Sequence, residues 1–339
     1  MLKDVLEIIL ITYNRKTCLE KTLKTLFAGN SPVKELDITV IDNNSTDATP
    51  ALLAEFKQKH PNLKIIRNNK NIGPNANIAK IFEIAQKPYF WPLCDDDTYD
   101  FSAWQDVENA ISQQADLIIV NTQFTNGDGT FPNMYRLLTF LPAAIHKTEN
   151  ITPQVLTNIY NNIPNWFPHL AAVAEVINKD GKVITVNGNI VKRVKGENDN
   201  IDFKKNTDLE SKTLPLINRF MPHLPPSQRY KFLEVGYYKS CELIQDTQKR
   251  AQAIAACRPN VPFWRQMASL ITWNNVGCNN YKENYTSLKP VFNRRQNFTF
   301  NLMYLRSYFS LPSYYIRKKK QEKEIKKAEQ ILINGGKNA

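Results

Sequence analysis

The sequence predicts an α/β fold: a Rossmann-like, mainly parallel sheet with helices on both faces, followed by a mainly helical C-terminal region. Three observations carry that prediction. The run Val5-Leu6-Glu7-Ile8-Ile9-Leu10-Ile11-Thr12 is almost continuously apolar and rich in β-branched residues, as a strand buried on both faces must be. Strand-like and helix-like segments then alternate through residue 121, the pattern of parallel strands joined by crossover helices. Polar clusters also recur where strands end, at Thr12-Tyr13-Asn14, at Asp42 and at Asp95-Asp96-Asp97. Ligands of such sheets sit at the carboxyl ends of the strands, so this edge is the expected site.

Each element follows from a local pattern. Tyr13-Asn14-Arg15 breaks the first strand, and Leu19, Thr22, Leu23, Leu26 and Phe27 recur at helical spacing before Gly29. A second strand, 37–41, leads into Asp42-Asn43-Asn44-Ser45-Thr46-Asp47, whose Ser45, Thr46 or Asp47 caps a helix carrying Leu52, Leu53 and Phe56. Pro61 closes that helix and 63–67 forms a third strand. The Asn-rich loop 68–77 opens a helix through Ile78, Ile81, Phe82 and Ala85. A fourth strand, 89–94, a helix at 101–113 and a strand at 116–121 complete the series.

The fourth strand ends in three successive carboxylates, with Asp100 close behind. On an extended backbone Asp95 and Asp97 point to one side and Asp96 to the other. Three like charges there repel unless a cation neutralises them, and oxygen-only ligands suit a hard ion, Mg²⁺ or Mn²⁺. The bland alternative is a solvated acidic turn.

Bulk properties narrow the class. A chain of 339 residues with 42% hydrophobic and 22% charged residues is ordinary for a globular protein with a real core. Five cysteines with no close pair argue against a disulfide framework or a Cys-rich zinc site. No basic-then-apolar leader precedes the first strand and no run reaches the ~20 apolar residues of a spanning helix, so a cytoplasmic protein is expected. The net charge of +12 is concentrated late, where residues 289–327 hold eleven lysines and arginines against two acids. A basic end with an acidic central edge fits an anionic surface and disfavours nucleic acid.

The motifs Ile11-Thr12-Tyr13-Asn14-Arg15, Val40-Ile41 with 42–47, Asn71-x-Gly73 and Asp95-Asp96-Asp97 occur in the order and spacing of family 2 glycosyltransferases, which the stretch over about residues 5–125 resembles. The segment 71–97, with Asn77-Ile78 and Trp91-Pro92-Leu93-Cys94, resembles bacterial O-antigen and capsule sugar transferases. The resemblance implies an inverting enzyme of the GT-A fold. It implies that Thr12, Tyr13 and Asn14 line the nucleotide pocket, that Asp42 meets the base or ribose, and that Asp95 and Asp97 hold Mn²⁺ or Mg²⁺ against the donor diphosphate. Asp96 would bond the ribose or donor sugar. Arg15 either pairs with phosphate or is solvated, and Asn77 sits near a helix N-terminus that favours an anion.

An inverting transfer also needs a base. Where the family commonly places an acid, this chain reads Asn165-Trp166-Phe167-Pro168-His169-Leu170. With Pro168 at the first helical position, His169 falls in the first turn, where the positive helix end keeps it neutral. Its alternative is a structural histidine, and Glu175, Glu197 and Asp199 are the fallback bases. Trp166 and Phe167 form a sugar platform or belong to the core.

Three regions are expected: a catalytic domain over 1–200, a helical accessory or acceptor region over 201–312 and a basic helix or tail over 313–339. The tail mixes aromatics with Arg317-Lys318-Lys319-Lys320, a composition suited to an anionic bilayer face. The leading expectation is a transferase moving a sugar from a nucleoside diphosphate, UDP favoured, to a lipid-linked or surface glycan of lipopolysaccharide or capsule, peripheral on the inner membrane face. A non-catalytic glycan-binding scaffold is the alternative. A sugar nucleotidyltransferase would want a Gly-rich loop after the first strand, which is lacking. Oligomeric state stays open.

Overall fold

The computed structural model describes residues 2–120, 135, 137–163, 167–186, 188–192, 237 and 240–256. The chain divides into two compact units, Met1–Asn200 with Gly236–Ala256, and Ile201–Val235 with Cys257–Ala339. All described residues belong to the first unit. The basic tail, Trp166, Glu197 and Asp199 lie outside them, as does the accessory region apart from residues 237 and 240–256.

The apolar run becomes β1, Leu6–Thr12, preceded by a single helical turn, α1, Leu2–Val5. The following elements are α2 (Lys16–Leu26), β2 (Asp37–Asp42), α3 (Thr49–Lys59), β3 (Leu63–Arg67), α4 (Pro74–Ile84) and β4 (Tyr89–Leu93). Next come β5 (Thr98–Tyr99), a 3₁₀ turn at Phe101–Ala103, α5 (Trp104–Ser112), β6 (Leu117–Ile119) and β7 (Ala144–Lys147). Helices α6 (Pro153–Asn161) and α7 (Leu170–Asn178), strands β8 (Val183–Thr185) and β9 (Val191–Lys192) and helix α8 (Thr247–Ala256) complete the described elements.

The main sheet runs β3-β2-β1-β4-β7-β6-β8, and β5 pairs with β9 in a separate ribbon. Strands β3, β2, β1 and β4 are mutually parallel, with Thr12 beside Asp42 and Leu10 beside Leu93. Strand β7 is antiparallel to both neighbours. The sheet is therefore mixed but mostly parallel, as the GT-A expectation requires.

Alternation sorts the core into two layers. Leu6, Ile8 and Leu10 pack with Trp91 and Leu93 under α2, α3 and α5. Ile9, Ile41 and Phe90 face the other way, against α4, α6 and α7. Both faces are dry, which is why β1 reads as an unbroken apolar run. Its one charge, Glu7, is 5% exposed and accepts backbone N–H groups of Gln86 and Lys87. Cys18, Cys94 and Cys241 are free thiols.

Helix α8 and the segment before it are part of this first unit. Asn178 at the end of α7 donates from Nδ2 to Leu243 O at 3.0 Å, and Tyr135 Oη donates to Ser240 O at 2.8 Å. Among the described residues no helix is long and apolar enough to cross a membrane.

Candidate functional site at the strand carboxyl edge

The parallel register brings Thr12 and Asp42, the last residues of adjacent strands, side by side. Asn14, with φ of 52°, reverses the chain in the left-handed region that asparagine tolerates. Its side chain then ties the two loops together: Thr46 N donates to Asn14 Oδ1 at 2.7 Å, and Asn14 N donates to Ser45 Oγ at 2.9 Å. Asn14 is thus a loop brace, and Tyr13, 40% exposed, presents the free aromatic surface of that loop.

Asp42 is 1% exposed. Its Oδ1 accepts from Ser45 N at 2.8 Å, while Oδ2 is buried without a hydrogen-bond partner. The cation nearest that oxygen is Arg67, whose Nε lies 3.7 Å away and whose Nη2 donates to Ser45 O. A buried carboxylate oxygen with an unused lone pair costs stability unless a ligand donor fills it. Arg67 did not stand out in the sequence; the signal was its place as the last residue of a strand on the same edge.

Strand β4 stops at Leu93, so the Asp run is a bend and not an extension of the strand. Burial nevertheless alternates as expected: Asp95 and Asp97 are buried and Asp96 is half-exposed. Asp95 turns inward, 3% exposed. Thr12 Oγ1 donates to its Oδ2 at 2.6 Å, and Arg15 Nη1 lies 3.2 Å from its Oδ1. Its carbonyl accepts from Thr22 Oγ1 at 3.0 Å. Burial raises the Asp95 carboxyl to about 6 against the lowering influence of Arg15 and Thr12.

Arg15 is half-buried, and its Nη2 also donates to Asp96 Oδ2 at 2.6 Å. Burial lowers its pKa, but Asp95 and then Asp96 outweigh that and raise it. Ligand atoms of Cys94, Asp96 and Asp97 lie within 4.8 Å of one another, close enough to share one ion. Burial, and then Asp97, Asp96 and Asp95, push the Cys94 thiol well above its ordinary range. The oxygens of Asp96 and Asp97 suit a hard cation, and Cys94 sulfur is the softer third atom of the group. The sequence expectation had paired Asp97 with Asp95.

The Asn-rich loop closes the far side through its own network. Asn43 Nδ2 donates to Asn71 Oδ1, Asn68 Nδ2 donates to both Asn43 Oδ1 and Asn77 Oδ1, and Lys80 Nζ donates to Asn68 Oδ1, all at 2.7–2.9 Å. Asn77, 2% exposed, is a member of this network in the first turn of α4. Gly73, with φ of 84° and ψ of 161°, makes the turn into that helix in a region reserved for glycine.

His169 stands apart from these contacts in its own surroundings. It precedes α7, with Leu170 opening the helix, and is 3% exposed. Its Nε2 lies 2.9 Å from Leu138 O, and Nδ1 is buried without a partner. Its pKa falls to about 4, and the leading cause is burial, not a helix end. The nearby His146, stacked on Phe90, falls to about 3 for the same reason. Glu175 is paired with Lys179 at 2.8 Å. Phe167 packs edge-on to His169.

The family model for glycosyl transferase family 2 matches residues 7–181. The chain belongs to that family. It is 29% identical over 119 residues to abequosyltransferase RfbV of Salmonella typhimurium, covering 34% of this chain and 35% of that one. It is 33% identical over 93 residues to the GalNAc(5)-diNAcBac-PP-undecaprenol beta-1,3-glucosyltransferase of Campylobacter jejuni, covering 27% and 29%. These matches span about a third of the curated relatives or less. Among solved structures, S. aureus TarS 1-349 in complex with UDP-GlcNAc is similar at TM-score 0.45 and 14% identity, over 82% of this chain and 92% of that one. The mannosyltransferase PcManGT from Pyrobaculum calidifontis, in complex with GDP-Man and Mn2+, is similar at TM-score 0.43 and 14% identity, over 90% and 86%.

Proposed function

We propose that the family 2 domain is a metal-dependent inverting glycosyltransferase. It moves a sugar from a nucleoside diphosphate, UDP favoured, to a lipid-linked or surface glycan. One observation carries the reading: a buried, unpartnered Asp42 oxygen and the Asp96–Asp97 pair share one strand edge. The first accepts a hydrogen bond from a base or ribose. The second offers two hard oxygens at cation spacing. Tyr13, 40% exposed on the loop after β1, supplies a stacking surface on the same edge.

Mn²⁺ or Mg²⁺ on Asp96 and Asp97 would supply charge neutralisation for the leaving diphosphate. Asp95 holds the bend in place through Thr12, Thr22 and Arg15, and the Arg15 guanidinium places a fixed positive charge beside the carboxylates. The Asn43–Asn68–Asn77 network fixes the opposite wall. His169 serves packing in this reading: its Nε2 meets the Leu138 carbonyl, and its contacts lie apart from those that join Thr12, Asp95 and Asp96. Glu197 or Asp199 is then the base. A lipid-linked acceptor places the protein on the inner membrane face, held by the basic C-terminal segment.

Calorimetric titration of uridine, cytidine, guanosine and thymidine diphosphates, with Mn²⁺ and with chelator, tests the reading. Metal-dependent binding of one nucleotide, lost in Asp97→Ala, is expected. A folded sample that binds none of them belongs to a non-catalytic glycan-binding scaffold.

A further inference from the structure

Beyond Asp97 the chain runs down the flank of α2. Thr98–Tyr99 pair with β9, and Asp100 N donates to Ile190 O at 2.7 Å before the 3₁₀ turn and α5. Together with the second half of α2 and the loop after it, this segment encloses a groove of about 720 Å³. That volume lies inside the ~300–1,000 Å³ range of small-molecule sites. The groove's walls include neither Thr12, Asp42 nor the Asp95–Asp97 run, so it is a place separate from the strand-edge site.

Its chemistry is selective. Tyr99 and Phe101 contribute stacked rings with centroids 6.1 Å apart, and Trp104 packs edge-on to Phe101. Around these faces stand the exposed side chains of Asn30, Asp100 and Ser102, all able to exchange hydrogen bonds with hydroxyl groups. Among the described residues the lining holds no lysine, arginine or histidine, and its one charged group is the Asp100 carboxylate. A phosphate or carboxylate ligand is therefore excluded by charge. Trp104, 4% exposed, belongs to the hydrophobic core and backs the groove with its ring.

We propose that this groove binds a neutral saccharide. Aromatic faces take the C–H surface of a pyranose ring, and the polar rim takes its hydroxyls. Only the source of the saccharide, the growing acceptor glycan held away from the transfer edge, rests on the transferase reading.

The test is calorimetric or ligand-observed magnetic resonance titration of the full chain with maltotriose, cellotriose and chitotriose, with glycerol 3-phosphate as the anionic control. Uridine diphosphate with Mn²⁺ is titrated into the same samples. At least one trisaccharide is expected to bind with a Kd of about 1 mM, the level of roughly 4 kcal/mol. Asn30→Trp, which fills the groove from an exposed position, abolishes that binding and leaves nucleotide binding unchanged. The proposal is overturned if a cooperatively folded sample binds none of the three sugars, if binding survives Asn30→Trp, or if glycerol 3-phosphate binds as well. Saccharide binding without nucleotide binding would remove the transferase reading and keep the groove.

Discussion

Thr12 and Asp95, 83 residues apart, are joined by a 2.6 Å hydrogen bond in which the threonine hydroxyl donates to the buried Oδ2. This contact fastens the end of β1 to the bend after β4, and so sets where Asp96 and Asp97 point. Thr12→Val keeps the shape and strands a buried carboxylate oxygen. It is expected to cost about 1–3 kcal/mol in urea unfolding. Thr12→Ser restores the donor and most of the stability. Equal stability of the valine variant would mean that Arg15 alone secures Asp95.

Asp97→Ala removes a proposed cation ligand, and Asp97 belongs to neither core layer. Turnover should fall by about 10²–10³, the scale of losing one preorganised electrostatic group, with unfolding midpoint nearly unchanged. Isothermal titration with Mn²⁺ gives the independent readout: weaker metal binding is expected, and normal metal affinity would remove Asp97 from the ligand set.

Asp42→Asn tests the nucleotide end of the site. Loss of the buried acceptor should weaken nucleoside diphosphate binding about 10- to 100-fold, or roughly 1.4–2.8 kcal/mol, while Mn²⁺ binding stays as it was. A parallel loss of both would point to collapse of the edge instead.

Two histidines make the fold acid-sensitive. Burial lowers His146 to about 3 and His169 to about 4 from an ordinary 6.5. The unfolded chain therefore takes up protons first as pH falls. Their contribution is complete above about pH 6.5 and is lost progressively towards pH 4, at about 1.4 kcal/mol per pH unit for each ring. Urea unfolding between about pH 7 and pH 5 should show that slope. His146→Phe, which keeps a ring on Phe90, should halve it, and an unchanged slope would show that His146 titrates normally.

Gly73→Ala has room, since nothing lies within 4 Å of the added Cβ, yet φ of 84° is hostile to it. The expected cost is about 1–3 kcal/mol from backbone strain, read as a lower melting temperature. A loss of only a few tenths would mean that the Asn71–Gly73 loop relaxes without disturbing α4.

Much of the fold was legible because it rests on short-range pattern. The apolar run of β1, the helical spacing of Leu19, Leu23 and Leu26, and the polar residues closing β1 and β2 each announce themselves within about a dozen positions. Strand β7 was not legible. Ala-Ile-His-Lys carries no strong alternation, and it becomes a strand by pairing with Tyr89 and Phe90 more than fifty residues earlier. The Asp run was visible but its hydrogen-bond partners were not, because the strand ends at Leu93 and Thr12 and Arg15 reach it from 80 or more residues away.

From the sequence alone came the sheet covered by helices on both faces and the strand edge at which the polar residues gather, since burial periodicity is written locally. Only the tertiary structure decided the division of labour among those residues. Asp95 is tied to Thr12 and Arg15, the ligand atoms of Asp96 and Asp97 lie within 4.8 Å, Asn14 and Asn77 join loop networks, and His169 is buried. Each of those roles depends on which distant side chain arrives within about 3 Å, the reach of a hydrogen bond. Chain folding sets that distance, and no local pattern encodes it.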